Sequence, residues 1–199
     1  MNVFIDTELW AFAYKEPRRE LFASDEDFKK AVRYHTTARN FLEEKLTKDR
    51  IYMSTHQLAE IYHVLSYRGI KLPKQIAQTI INSITKSDNV IIVDVKRAHF
   101  NEALERSVRS CIHIWDFLCI IPVKDKVDVA YSMDKHFLHR EIRSLVPRVE
   151  TPSGNGGSSE EINLSQYFPI PKYRILCYIS SIETWFSGKG FIKVKVGSF

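Results

Sequence analysis

Apolar residues along the first 150 positions fall into two alternating rhythms, short unbroken runs and longer stretches spaced for one side of a helix. Val3, Phe4 and Ile5 form a run of the buried-strand type, and over 27–46 the residues Phe28, Ala31, Val32, Ala38, Phe41 and Leu42 share one helical side. Positions 51–54 read as a strand feeding a helix over 55–67, which stops near Gly69, where a left-handed residue is tolerated. Pro73 suits the first position of the next helix, whose Ile76, Ile80 and Ile84 recur every four residues. Positions 90–93 are the most strand-like run, 96–108 is helical, a short helix over 112–121 ends at Pro122, and 127–131 is a further strand. Val- and Ile-rich strands alternating with helices predict an α/β domain with a mostly parallel central sheet flanked by helices.

Near Thr151 the pattern changes. Gly69 is the one glycine before position 150, whereas Gly154, Gly156, Gly157, Gly188, Gly190 and Gly197 all follow it. Residues 151–159 have the composition of a linker. Residues 160–199 then read as a short β-leaning C-terminal appendage, with strand-like runs at 173–179 and 191–196. Its apolar residues are too few for an independent core, so they must be buried elsewhere. Docking on the body, exchange with a second subunit and a segment foreign to the native protein all satisfy that demand. The expected organisation is a catalytic body over 1–150, a linker over 151–159 and an appendage over 160–199 with no part in catalysis.

At 199 residues and 44% hydrophobic, the chain has enough apolar surface for a core, and its length excludes a multi-enzyme architecture. No run approaches the roughly 18 apolar residues of a membrane span, and the start meets an acid at Asp6 without a basic leader, so a cytoplasmic location is expected. Cys111, Cys119 and Cys177 have no metal-ligand spacing, and the first two lie among apolar neighbours. The net charge of +5 is spread along the chain and permits nucleic acid as a partner.

In open parallel sheets the ligand site lies beyond the carboxyl ends of the strands. Four acids sit at such junctions: Asp6, Glu60, Asp116 and Asp134. Glu60 and Asp116 each stand between large apolar neighbours, where a carboxylate is costly to bury uncompensated. Gathered together, these acids call for a hard cation such as magnesium or manganese. Taken singly, each also fits an exposed helix position, a cap, or an ion pair with Lys135 or Arg109. His136 and His139 are spaced for a zinc ion, although on a basic segment phosphate contact or plain exposure is the better fit. The body has no glycine-rich phosphate loop.

The same four contexts resemble the PIN-domain family of metal-dependent ribonucleases, which includes the toxins of the VapBC toxin–antitoxin systems. Val3-Phe4-Ile5-Asp6-Thr7 is similar to the opening strand and first acid, and Ser54-Thr55 with Glu60 to the Ser-Thr-x-x-x-x-Glu helix. His113 to Leu118 resembles the segment of the third acid, and Tyr131 to Phe137 the closing Thr-x-Asp segment, here Ser132-Met133-Asp134. Three departures stand out. Glu8 replaces a small or amide residue and either adds charge to the site or points away; Ser132 keeps the hydroxyl of the usual Thr; Pro122 shortens the helix after Asp116.

The resemblance covers residues 1–150 and implies an endoribonuclease dependent on Mg2+ or Mn2+. It makes Asp6, Asp116 and Asp134 the metal ligands, Glu60 a ligand or base, and Thr7 and Ser132 the groups that orient carboxylates. RNA contact is expected from Arg109, Lys135, His136 and Arg140, with Lys15, Arg18, Arg19, His139 and Arg143 as further candidates. It also implies an antitoxin partner with a basic side chain reaching the acidic site, and a homodimer. The alternatives are a catalytically silent RNA- or partner-binding module, an RNA-processing housekeeping nuclease and, ranked below these, a DNA-acting flap nuclease.

Overall fold

The computed structural model describes residues 1–152. Strand β1 (Asn2–Ile5) leads into α1 (Thr7–Tyr14), and a 3₁₀ turn at Arg19–Leu21 precedes the long α2 (Asp25–Lys48). There follow β2 (Arg50–Ser54), α3 (Thr55–Tyr67), α4 (Lys74–Thr85), β3 (Val90–Val93), α5 (Arg97–Ser110) and α6 (Ile114–Ile120). After a 3₁₀ turn at Ile121–Lys126 come β4 (Val129–Tyr131), a 3₁₀ turn at Lys135–Leu138, α7 (Arg140–Arg143) and β5 (Val149–Glu150). All five strands are parallel, in the order β3-β2-β1-β4-β5. The expected α/β sheet is therefore present, and every strand's carboxyl end points to the same edge.

Because side chains alternate along a strand, β1 feeds two cores. Val3 and Ile5 join Leu9, Trp10, Leu42, Met53, Ile61 and Leu65 on one face, where α1 to α4 pack. Phe4 joins Phe117, Ile120, Val123, Ala130 and Ile142 on the other, under α5, α6 and α7. Phe4 and Phe137 stack with centroids 5.9 Å apart, which ties the segment after β4 to the sheet. Truncating either ring to alanine would cost about 3–5 kcal/mol.

Several sequence expectations need correction. No helix was expected directly after β1, yet α1 forms there; Leu9, Trp10, Ala11 and Phe12 are all buried, so it lacks the one-sided stripe that marks an amphipathic helix. The buried side of α2 is Ala31, Tyr34, Ala38 and Leu42, with Val32 turned outward at 37% exposure. On α4, Ala77 takes the buried position and Ile76 is 50% exposed, since the face turns between the first and last residues of the isoleucine stripe. Pro73 is the N-cap and not the first helical residue. Gly69 has the expected positive φ of 51°, but the helix before it closes at an extended Arg68. The short helix before Pro122 ends at Ile120 as expected, and Pro122 sits in the first turn of the 3₁₀ segment Ile121–Lys126 that follows it directly. Cys119 is buried as expected, whereas Cys111 is exposed and ends α5 in a left-handed conformation, φ 59°. The linker from position 153 onward and the β-leaning appendage over 160–199 lie outside the described residues.

Candidate active site

The first acid follows β1 directly. The Asp6 N–H donates to Tyr131 O at 2.9 Å, and Asp6 O accepts from the Leu9 N–H at 3.1 Å, so Asp6 occupies the N-cap position of α1. Its side chain does not cap the helix. Instead Asp6 Oδ2 accepts from the Ser132 hydroxyl at 2.7 Å, and that hydroxyl in turn accepts from the Asp134 N–H at 2.9 Å. One serine thus links the acid that follows β1 to the segment that follows β4.

Glu60 arrives through α3, whose entry is fixed from inside the protein. Ser54 Oγ accepts from the Gln57 N–H at 3.1 Å and donates to Leu118 O at 3.0 Å, while Gln57 Nε2 donates to Ile5 O at 2.6 Å. These contacts bind the end of β1, the start of α3 and the later part of α6 together. At the site, Glu60 Oε2 accepts from Thr7 Oγ1 at 2.7 Å and from Cys119 Sγ at 3.1 Å. Thr7 therefore orients the carboxylate of Glu60. Cys119, read from sequence as a small core residue, is a second orienting donor that the apolar context concealed.

Asp134 caps the turn after β4 and accepts from the His136 N–H at 2.8 Å, with the His136 ring Nδ1 3.3 Å from the same oxygen. Asp116 lies in the first turn of α6, where no hydrogen bond engages its carboxylate among the described residues. Glu8 lies in the first turn of α1, and its Oε2 is buried without a hydrogen-bond partner.

The carboxyls of Asp6, Glu8 and Asp116 are all harder to ionise than in water. Asp6 is raised to about 7, first by burial, against which the Ser132 hydrogen bond works, and then by the charges of Glu60 and Asp134. Burial also lifts Asp116 well above the usual range, with Asp6, Glu60 and Asp134 adding to it. Glu8 is lifted in the same way, by burial and then by Asp6, Asp134 and Asp116, so it belongs to the acidic cluster. Burial raises the Cys119 thiol, helped by Glu60, and keeps it a hydrogen-bond donor. Asp134 alone of the shifted site acids moves down, because hydrogen bonds from the His136 ring and backbone outweigh its burial.

Around this cluster the histidines form a grouping their sequence spacing did not announce. His56, His63 and His113 each set a ring nearly perpendicular to Trp115, with centroids 5.7, 6.5 and 5.3 Å away, and Tyr67 stacks on His63. Glu60 lies between His56 and His63 on α3, and Asp116 follows Trp115 on α6, so the rings border the acids. Burial lowers the pKa of His56.

The basic candidates divide. Lys135 and Arg140 are exposed near the Asp134 turn, as are Arg143 and the half-exposed His136, which is engaged by Asp134. Arg109 is held by Glu141 at 2.8 Å. Arg18 is exposed, His139 caps α7 through its Nδ1, and Arg19 pairs with Asp25. Lys15 is not on any rim: it is 1% exposed, and its Nζ donates to Val64 O and Arg68 O at the end of α3. Burial lowers its pKa to about 8.

Do these residues fit a divalent cation? The donor set is chemically right, since five carboxyl groups supply hard oxygens, and the enclosed Oε2 of Glu8 has no hydrogen-bond partner among the described residues. The spacing is looser: among the described residues, no three His, Cys, Asp or Glu side chains already stand where they could hold an ion. The cluster has the oxygen chemistry a hard cation takes without its ligand spacing.

No protein-family model and no curated protein matches the sequence. Among solved structures, the fold is similar to VapBC2 of Rickettsia felis, bound to a DNA fragment from its promoter, at TM-score 0.51 and 15% identity over 77% of this chain and 100% of that one. It is also similar to VapC20 of Mycobacterium tuberculosis, a sarcin-ricin loop cleaving toxin, at TM-score 0.49 and 23% identity over 68% and 92% of the two chains. The parallel sheet with its acids at the carboxyl edge defines a PIN-like α/β domain. More narrowly, the fold is that of a VapC-like PIN domain, which the four motifs implied.

Proposed function

We propose that the protein is a metal-dependent endoribonuclease, acting as the toxin of a toxin–antitoxin pair. The observation that carries this reading is the meeting of Asp6, Glu60, Asp116 and Asp134 at the carboxyl edge of the sheet, where Asp6 follows β1, Asp134 follows β4, and Glu60 and Asp116 lie on α3 and α6. Asp6, Asp116 and Asp134 would hold Mg2+ or Mn2+, which when bound supplies an activated water and neutralises charge building on the phosphate. Ser132 fixes one oxygen of Asp6, and Oδ1 would be the oxygen left for the ion. Thr7 and Cys119 do the same for Glu60, whose Oε1 is then placed to orient water or accept its proton. Lys135, His136 and Arg140 lie on the rim where an RNA backbone would pass, with Arg109 more distant in effect because Glu141 already engages it. An antitoxin with a basic side chain would answer the same excess of negative charge, and a homodimer is the expected assembly.

A second reading, a silent RNA- or partner-binding module, draws on the looseness of the acids, which do not stand at ligand spacing. Incubating the purified chain with RNA and Mn2+ separates the two. Cleavage that is lost on chelation and in Asp116→Asn, leaving 5′-phosphate and 3′-hydroxyl ends, supports the nuclease. Products with 2′,3′-cyclic phosphate would contradict this mechanism, and intact RNA would favour the silent module. Induction of wild type and Asp6→Asn in cells, with mapping of RNA ends, then tests the toxin role: unchanged growth with an active enzyme points to a housekeeping nuclease.

A further inference from the structure

We infer that Glu8 is a fifth ligand of the acidic site, binding the divalent cation directly through its carboxylate. This rests on the metal-dependent reading above and assigns it a residue that the four-acid pattern lacks. Glu8 is the second residue of α1, so the tight junction that places Asp6 at the end of β1 also places Glu8 one step further round the helix mouth. Its Oε2 is enclosed by protein and accepts no hydrogen bond. An enclosed carboxyl oxygen without a donor is among the costlier groups a fold can keep. A residue with no task here would turn outward, as the neighbouring Glu16 and Glu20 do.

The acids differ in how much of each carboxylate is committed. Asp6 gives Oδ2 to Ser132, Glu60 gives Oε2 to Thr7 and Cys119, and Asp134 gives Oδ1 to His136. Those three are oriented by the protein, each with one oxygen to spare. Glu8 and Asp116 have no such contacts among the described residues. The charged neighbours of Glu8 are Asp6, Asp134 and Asp116, the three acids assigned to the metal, and not Glu60. Glu8 thus shares the electrostatic neighbourhood of those three acids from α1, while Glu60 lies on α3, held by Thr7 and Cys119. Among ligands, a divalent cation answers an enclosed carboxyl oxygen whose charged surroundings are three other acids, displacing the proton that such surroundings favour.

The test measures Mn2+ binding to the purified full chain by calorimetry and by the electron paramagnetic resonance of free Mn2+, for wild type, Glu8→Gln and Glu8→Asp, without RNA. Ligation predicts at least tenfold weaker binding in Glu8→Gln and also in Glu8→Asp, because the shorter side chain keeps the charge but loses the reach. Melting curves without metal, expected to be equal or higher for Glu8→Gln, show that the variants are folded. Wild-type affinity in Glu8→Gln overturns the inference and leaves the nuclease reading standing. Weak binding in Glu8→Gln with full affinity in Glu8→Asp also overturns it, since charge alone would then suffice. Absence of Mn2+ binding by wild type removes both this inference and the metal-dependent function.

Discussion

Asp49 and Asp6 are both buried aspartates beside neighbouring parallel strands, one before β2 and the other after β1, yet folding moves their carboxyls in opposite directions. At the amino edge, Asp49 is buried too, but the N-terminal ammonium at 2.8 Å and Lys45 at 3.1 Å outweigh that burial and lower its pKa. At the carboxyl edge, Asp6 is raised to about 7 because burial and acidic neighbours outweigh one serine hydroxyl. The first edge is finished by the chain's own charges. The second gathers like charges that the fold leaves uncompensated, and such an arrangement costs stability unless a ligand repays it.

The largest effects should separate the two edges most sharply. Asp6→Asn or Asp116→Asn should reduce RNA cleavage by about a thousandfold or more, given how much transition-state charge a metal site handles. Without metal the same variants should melt at equal or higher temperature, by a few degrees, since a carboxylate that repels its neighbours is gone. Asp49→Asn should do the reverse, lowering stability by about 2 kcal/mol while leaving the cleavage rate of the folded enzyme unchanged. Denaturant melts and single-turnover assays check both halves. A destabilised Asp6→Asn would mean that its hydrogen bond to Ser132 holds the fold and the two edges are alike.

A smaller loss is expected from Ser132→Ala, which removes a donor to Asp6 and an acceptor for the Asp134 backbone. Cleavage should fall about 10–100-fold, with weaker Mn2+ binding by calorimetry. The smallest effect concerns RNA. Lys135→Ala should weaken RNA binding severalfold and reduce the salt dependence by about one counterion, whereas Arg109→Ala, already paired with Glu141, should change it less. Equal slopes for the two variants would remove that distinction.

How much of this could be read from the sequence follows from where each residue's partners lie. Asp6 and Asp134 are legible because each closely follows a run whose strand character is local, whereas Glu60 lies within α3 and Asp116 in α6, after another helix, and are legible from their large apolar neighbours. Glu8 was left open because its direction depends on the turn between β1 and α1, and α1 itself went unseen since its sides are buried nearly all round. Lys15 looked like rim charge, but its partners are carbonyls about fifty residues away at the end of α3. The ring cluster about Trp115 likewise needed α3 and α6 to meet. Strand β5 is two residues long and carries no pattern of its own.

The opposite shifts of Asp49 and Asp6 also give opposite pH slopes. Asp49 contributes stability that is present above its unfolded pKa, near 3.8, and lost as pH falls through the lower folded value. Asp6 has a folded pKa of about 7 against 3.8, so the folded state retains a proton that the unfolded state has lost, and stability declines as pH rises between those values. The decisive measurement is therefore the stability of the wild-type chain from pH 4 to pH 8, with chelator and with Mn2+. The account predicts a decline toward pH 7 in chelator, and with Mn2+ a gain that grows over the same interval as the carboxylates ionise and bind. Superimposable curves with and without Mn2+ would contradict the claim that the carboxyl edge is a cation site.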